Sequence, residues 1–355
     1  MELVRRTTRW VVDFWGHLGT FVKVAGTATA LIGIAVTVTQ TYDAVSAHFA
    51  RREAVRDLVA VAERQLQGGD HAAAWSSNLR ALELIPRDET AERQQIVIAK
   101  LWLQEARLSS QGGPKSFAQL VGPLEEVLLA RSLKAEPADR AEIEAHIAWA
   151  RFLRSRDASG APIDVDGAID AALKSDPQNA TAHAIKGFWL LWRRGPLAEV
   201  RRHFDAALAG RGDQGFADHL VMKGWLNQAR SGEDYAYGAI EYANRLHRRG
   251  RSFDDATIRG DLLAIYEEAL RSRGFLDRLA GVLVPTDHAD LLASLGGQTG
   301  NDERRRHAEA LRGYFVERSG NRAEARRIYQ HMINTAPDAS RARAFAAEGL
   351  LRLRD

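Results

Sequence analysis

The chain has 355 residues, 45% hydrophobic and 27% charged, which is the composition of a folded protein and excludes disorder as its default state. Its 49 lysines and arginines nearly balance 46 aspartates and glutamates, leaving a net charge of +3 and no overall basic footprint of the kind nucleic acid requires. The absence of cysteine excludes disulfides and thiolate metal sites and fits a reducing or an oxidising compartment equally well.

Arg5, Arg6 and Arg9 lead into Trp10–Lys23. There Val11, Phe14, Trp15, Leu18, Phe21 and Val22 alternate with Asp13, His17 and Lys23, a Trp-rich pattern that suits a helix lying in the membrane interface. From Val24 to Tyr42 no residue is charged, and 19 residues come close to the roughly 20 that cross a hydrocarbon core of about 30 Å. A cleaved signal peptide would have a shorter apolar region and a small-residue cleavage site, and a buried core helix is the other rival. The sequence therefore predicts a single N-terminal transmembrane helix in an inner-membrane, single-pass protein. Gly26, Ala30, Gly33, Thr37 and Thr41 fall on one side of that helix, a small-residue stripe that predicts close packing between copies and homo-oligomerisation. Arg5, Arg6, Arg9 and Lys23 before the span only narrowly outnumber Arg51, Arg52 and Arg56 after it. This leans toward a cytoplasmic N-terminus without deciding the side of the remainder.

Residues 49–355 read as a second domain, after a membrane segment over 1–48. Ala50–Leu66 and His71–Leu84 pair about Gly68-Gly69-Asp70, and Asp88–Leu108 runs into a loop ending at Pro114. Pro123–Leu133, Ala138–Arg156 and Val165–Lys174 follow as shorter helices. Ala180–Ala209 is the clearest unit, two helices broken at Gly195-Pro196, with Ile185, Phe188, Leu191 and Trp192 on one stripe and Leu197, Val200, Phe204, Ala207 and Leu208 on the other. Phe216–Ala229 pairs with Tyr235–His247. A long helix over Phe253–Ser272, a short one over Phe275–Val282 and one capped by Thr286 come next. Glu303–Ser319 pairs with Arg322–Ala336, and Ala339–Leu353 closes the chain. A single hairpin covers its two stripes only in part, so its neighbours must complete the burial. The class expected is all-α, an α-solenoid of irregular helical hairpins.

The spacing of small residues carries a resemblance. Gly224 and Ala236 are separated by the same twelve positions as Gly313 and Ala325, and Ala325 and Pro337 repeat the separation of Ala74 and Pro86. With Gly187 and Tyr329, this skeleton resembles the tetratricopeptide repeat family. The pattern departs from the family where Lys186, Lys223 and Arg312 replace its Leu and where Leu190, Asn227 and Val316 replace its Tyr. The blocks Leu120–Lys174 and Phe253–Gly300 match poorly. The resemblance implies a partner-binding groove on the first helix of each hairpin, lined by Phe188, Trp192, Trp225, Gln228, Tyr314, Glu317 and Arg318. It also implies a protein or peptide partner.

No H-E-x-x-H, P-loop, G-x-S-x-G or EF-hand pattern occurs, so no catalytic residues, metal or cofactor are expected. His183, His203 and His219 read as surface or packing histidines. Asp254, Asp255 and Asp287 read as helix N-terminal charges, and the arginines of Arg248–Arg251 and Arg304–Arg306 as solvated helix ends. Two functional classes remain. The first is a membrane-anchored scaffold that recruits another protein, and the second is a membrane-active oligomer, a pore or effector, whose solenoid regulates or senses.

Overall fold

The computed structural model describes residues 45–106, 116–157, 162–251, 253 and 255–354. The predicted membrane segment, with Gly26, Ala30, Gly33 and Thr37, lies outside these residues. No helix among the described residues is long and apolar enough to cross a membrane.

Helices account for about four-fifths of the described residues, and no β-strand occurs among them. Their starts follow from short polar side chains. Asp70, Ser116, Asp164, Asn179, Asp213, Asp255, Ser272, Asn301 and Asn321 each occupy an N-cap and accept a hydrogen bond from a backbone N–H two or three residues on. Each such cap satisfies an orphan donor and stabilises its helix by about 1 kcal/mol.

The chain divides into two compact units at Trp102–Leu103. In the first, α1 (45–67) and α2 (His71–Leu84) are joined by Gly68 and Gly69, the latter in the left-handed region at φ 76°, and α3 (Glu89–Gln104) follows, its last two residues belonging to the second unit. Val55, Ala81 and Ala91 form one buried cluster, and Ala62, Ala74 and Ile98 another. Small side chains at these positions bring the helices close enough for polar interlocks. The Asn78 amide donates to Ala91 O at 2.8 Å and Gln94 Oε1 at 3.1 Å, and Gln94 donates to Val59 O at 2.8 Å.

The second unit begins at Leu103 and contains α4 (Phe117–Ser132), α5 (Pro137–Ser155), α6 (Val165–Ser175), α7 (Ala180–Trp192), α8 (Leu197–Ala209), α9 (Gln214–Gln228) and α10 (Glu233–Arg248). It continues through α11 (Ala256–Ala269), α12 (Arg273–Leu279), α13 (Pro285–Gly297), α14 (Asp302–Arg318), α15 (Arg322–Thr335) and α16 (Arg341–Arg352). Non-consecutive helices touch in succession: α5 on α7, α7 on α9, α9 on α11, α11 on α14 and α14 on α16. Each also packs on a hairpin partner, as α6 does on α5, α8 on α7, α10 on α9 and α15 on α14. Two layers built from sequence neighbours are the arrangement of a helical-repeat stack.

Glycine sets the spacing between the layers. A Cβ on Gly187 of α7 would lie 2.5 Å from the Phe204 ring of α8, and one on Gly224 of α9 would lie 2.9 Å from the same ring. Phe204 is thus seated between the glycines of two successive first helices. The motif returns in the last hairpin, where the Tyr329 ring of α15 fills the space beside Gly313 of α14 and Gly349 of α16. Both rings are fully buried.

Several element boundaries differ from the sequence reading. Helix α4 starts at Phe117 and carries Pro123 inside it, because Ser116 caps the helix and Asp157 accepts hydrogen bonds from the N–H groups of Phe117 and Ala118. Helix α13 starts at Pro285 with Val284 at the N-cap, so Thr286 is already inside it. Helix α11 covers Ala256–Ala269, shorter than Phe253–Ser272, because Asp255 starts it and Ser272 starts α12.

Candidate partner-binding surface

The short connections reverse the chain at each hairpin, so the first helices α7 and α9 run in the same sense. Their C-terminal ends lie toward one edge of the layer, and the sequence-predicted groove residues separate according to their distance from that edge. Phe188, Trp225 and Tyr314, three or four residues inside, are buried. Phe188 meets Trp149 and Phe152 edge-to-face at 5.4 and 5.3 Å, and Trp225 packs on Phe204 and Tyr242 with a Gly238 Cβ position 2.6 Å away. Tyr314 lies against Phe315 and Phe345. These three aromatics fill the space between helices and present no groove surface.

Glu317 is also occupied. It accepts from Arg352 Nε at 3.0 Å and Nη2 at 2.9 Å and from the Tyr329 hydroxyl at 2.8 Å, which ties α16 to α14 and α15. Burial, reinforced by the Glu317 carboxylate, pushes the Tyr329 hydroxyl well above its ordinary range. The predicted residues that reach solvent are Trp192, 45% exposed at the end of α7, Gln228, partly exposed at the end of α9, and Arg318, at the end of α14. Trp192 is held by Phe152 edge-to-face at 5.6 Å and by Arg156 over its ring, and Arg318 lies over the Tyr314 ring and donates to its hydroxyl.

Beside Gln228, the ends of α9 and α11 and the starts of α10 and α12 enclose a cleft of about 880 Å³. Leu226, Ala236, Ile265 and Phe275 supply its apolar lining, and Arg230, Arg271, Glu233, Asp261 and Glu268 bring charges of both signs to it. Glu233 is fixed by Arg278, at 2.5 and 2.7 Å, and by the Tyr237 hydroxyl, whose hydrogen bonds hold its carboxyl below the usual range. Tyr237 in turn stacks on Phe275.

A second cleft, of about 550 Å³, lies at the opposite ends of the same helices, lined by Gln104, Glu105, Phe216, His219 and Asp255. Behind it is a hydrogen-bonded polar cluster. His146 Nδ1 is 2.8 Å from Glu142 O, its Nε2 is 3.0 Å from Gln104 Nε2, and the same Gln104 nitrogen donates to Asp213 Oδ2 at 2.9 Å. Since the amide nitrogen can only donate, His146 Nε2 accepts and Nδ1 carries the proton. The Glu142 carboxylate accepts from Asn179 and Thr181, each at 3.0 Å. Ligand atoms of Glu142, His146 and Asp213 lie within 4.8 Å of one another, close enough to share a metal ion, and Gln104, Asn179 and Thr181 supply hydrogen bonds to them. The network ties α5 to the N-caps of α7 and α9. Its one sequence signal was the Glu142–His146 spacing on a single helix face; Gln104 and Asp213 gave none.

No family model and no curated protein matches the chain.

The basic runs are paired rather than simply solvated. Arg248 reaches Asp287 at 2.6 Å, Arg249 donates to Leu208 O at 2.7 Å and Arg251 pairs with Asp218 at 3.2 Å. Arg304 faces Glu267 at 3.7 Å, and Arg305 pairs with Asp302. Burial raises the Asp218 carboxyl against the pull of Arg251 and Arg249. Asp255 has the helix N-terminal role expected of it. Burial alone would raise its carboxyl, but hydrogen bonds from Thr257 and Ile258 and the charge of Lys223 bring it below the usual range.

Proposed function

We propose that the chain is a membrane-anchored scaffold of the tetratricopeptide type, and that its helical layer binds a protein or peptide partner. The observation that carries this reading is the cleft of about 880 Å³ at the ends of α9 and α11. Its apolar lining with charges of both signs matches the makeup of a protein-recognition patch, in which an apolar centre supplies affinity and rim charges select the partner. The seating of Phe204 and Tyr329 between successive glycines supports the tetratricopeptide assignment, because that family also uses small residues to bring its helices together. Anchorage rests on the uncharged run Val24–Tyr42.

The test is quantitative capture from solubilised membranes with the full chain as bait. Charge reversal at Arg230 and Arg271 should remove specific partners that a reversal at the distant Arg322 leaves in place. Identical partner profiles for all three would refute the cleft as the binding surface. Recovery of the full chain in the carbonate-washed soluble fraction would refute the anchor.

A further inference from the structure

Outside both clefts, two histidines face one another across the α7–α8 hairpin. His183 of α7 and His203 of α8 place their Nδ1 atoms 3.1 Å apart, with ring centroids 5.3 Å apart and the rings tilted by 36°. Both side chains are partly accessible, so the pair can be reached from solvent. His183 Nε2 is 3.0 Å from Pro177 O, a contact that requires its proton. In the neutral ring His183 Nδ1 is therefore a lone-pair acceptor, and His203 Nδ1 donates to it.

This is the arrangement of a metal-binding histidine whose far nitrogen is oriented by a backbone carbonyl. With metal–nitrogen bonds of about 2.05 Å and a tetrahedral angle, two imidazoles have centroids roughly 5.2 Å apart and nitrogens about 3.3 Å apart. The rings of His183 and His203 already have that separation, so a small pivot of each would turn both lone pairs onto a common point. We propose that His183 and His203 form a two-histidine site for a divalent transition-metal ion of the Zn²⁺ or Cu²⁺ type. On coordination the His203 proton moves from Nδ1 to Nε2, so both ligands remain neutral imidazoles and no proton need be expelled. Burial, with the nearby His183, Arg202 and Lys186, brings the His203 ring down to about 4, so protons do not compete for it near neutral pH. Lys186 and Arg202 oppose a cation, and Asp170, whose charge acts on His203, favours one. Lys186 is itself neutralised by Asp166 at 2.8 Å and Asp170 at 3.6 Å. Imidazole nitrogen selects Cu²⁺ and Zn²⁺ over Mg²⁺.

The experiment is titration of the untagged, detergent-solubilised full chain with CuCl₂ and ZnCl₂, with MgCl₂ as comparison, read by calorimetry and by Cu²⁺ electron paramagnetic resonance. The expected result is one equivalent of Cu²⁺ bound with hyperfine structure from two nitrogens and not displaced by Mg²⁺. His183→Gln and His203→Gln should each weaken it at least tenfold. Binding within twofold of wild type in both variants, at matched circular dichroism, would overturn the site. If either variant misfolds, the wild-type spectrum decides alone: no stoichiometric Cu²⁺, or a signal without two nitrogen ligands, also overturns it.

Discussion

Replacement of Gly187 by alanine adds a single methyl group at the point where α7 and α8 meet, and two opposing effects set the outcome. Alanine is the better helix former by about 1 kcal/mol, which alone would stabilise α7. The new Cβ, however, would lie 2.5 Å from two carbons of the Phe204 ring, far inside contact distance. That ring has nowhere to retreat, because Gly224 of α9 closes the other side. Overpacking of this kind costs about 1–3 kcal/mol, so the net expectation is a loss of about 1 kcal/mol, or about 2–4 °C in Tm for a unit of this size. Gly297, exposed at the end of α13 with nothing within 4 Å of its Cβ position, is the control, and its alanine variant should be neutral or slightly stabilised. The double variant G187A/F204L should recover part of the loss, with a coupling of about 0.5 kcal/mol or more. Thermal melts by circular dichroism of the wild type, G187A, F204L, G187A/F204L and G297A measure both the loss and the coupling. A G187A protein as stable as G297A, or strict additivity in the double variant, would refute the seating of Phe204 as what spaces these helices.

Other outcomes follow from buried groups. Trp225 is 0% exposed, so Trp225→Ala should lower stability by about 3–5 kcal/mol in a denaturant melt, whereas Trp192→Ala, at an exposed position, should cost far less. Equal losses would contradict the placement of the two rings. His288 is buried, accepting from the Tyr266 hydroxyl at 2.9 Å and donating to Leu279 O at 3.0 Å, and burial lowers it from 6.5 to about 4. Its folded value is depressed, so the unfolded chain binds the extra proton. The stability it contributes is present above pH 6.5 and declines by about 3 kcal/mol as pH falls toward 4. His288→Gln should flatten a urea-melt profile over that window by about one proton, and an unchanged slope would exclude His288 as the source. Arg352→Met should destabilise the end of the stack by about 1–3 kcal/mol by leaving Glu317 without its paired donors. Addition of Glu317→Gln should restore part of that loss, and hydrogen exchange in α16 would report it.

Much of the helical pattern was legible in the sequence because its causes are local. The stripes of Ala180–Ala209 have the period of a helix, and Asp70, Asn179, Asp213 and Asn321 cap helices through groups two or three residues away, although the one cap read from the sequence, Thr286, lies inside α13. Gly187, Gly224 and Gly313 also announced themselves, since a close helix approach admits little else. The start of α4 did not, because Asp157, some forty positions downstream, helps to cap it.

The candidate surface was legible only in part. Counting forward from each glycine led to Phe188, Trp225 and Tyr314, which lie buried between helices. Rotation of α9 turns Trp225 onto Gly238 and Tyr242, whereas Trp192, Gln228 and Arg318 at helix ends, and Glu317 in part, escape burial. The charged cleft joins residues from Leu226 to Phe275 contributed by four helices, and the His183–His203 pair spans twenty positions. Nothing in a one-dimensional spacing encodes either juxtaposition. The sequence by itself determined that this chain is a series of amphipathic helices spaced by glycine, because those are interactions within one or two turns. Which aromatics are buried, which arginines are neutralised and where side chains converge was decided only when non-consecutive helices packed into a layer, since burial and charge pairing depend on neighbours that the chain brings back from far away.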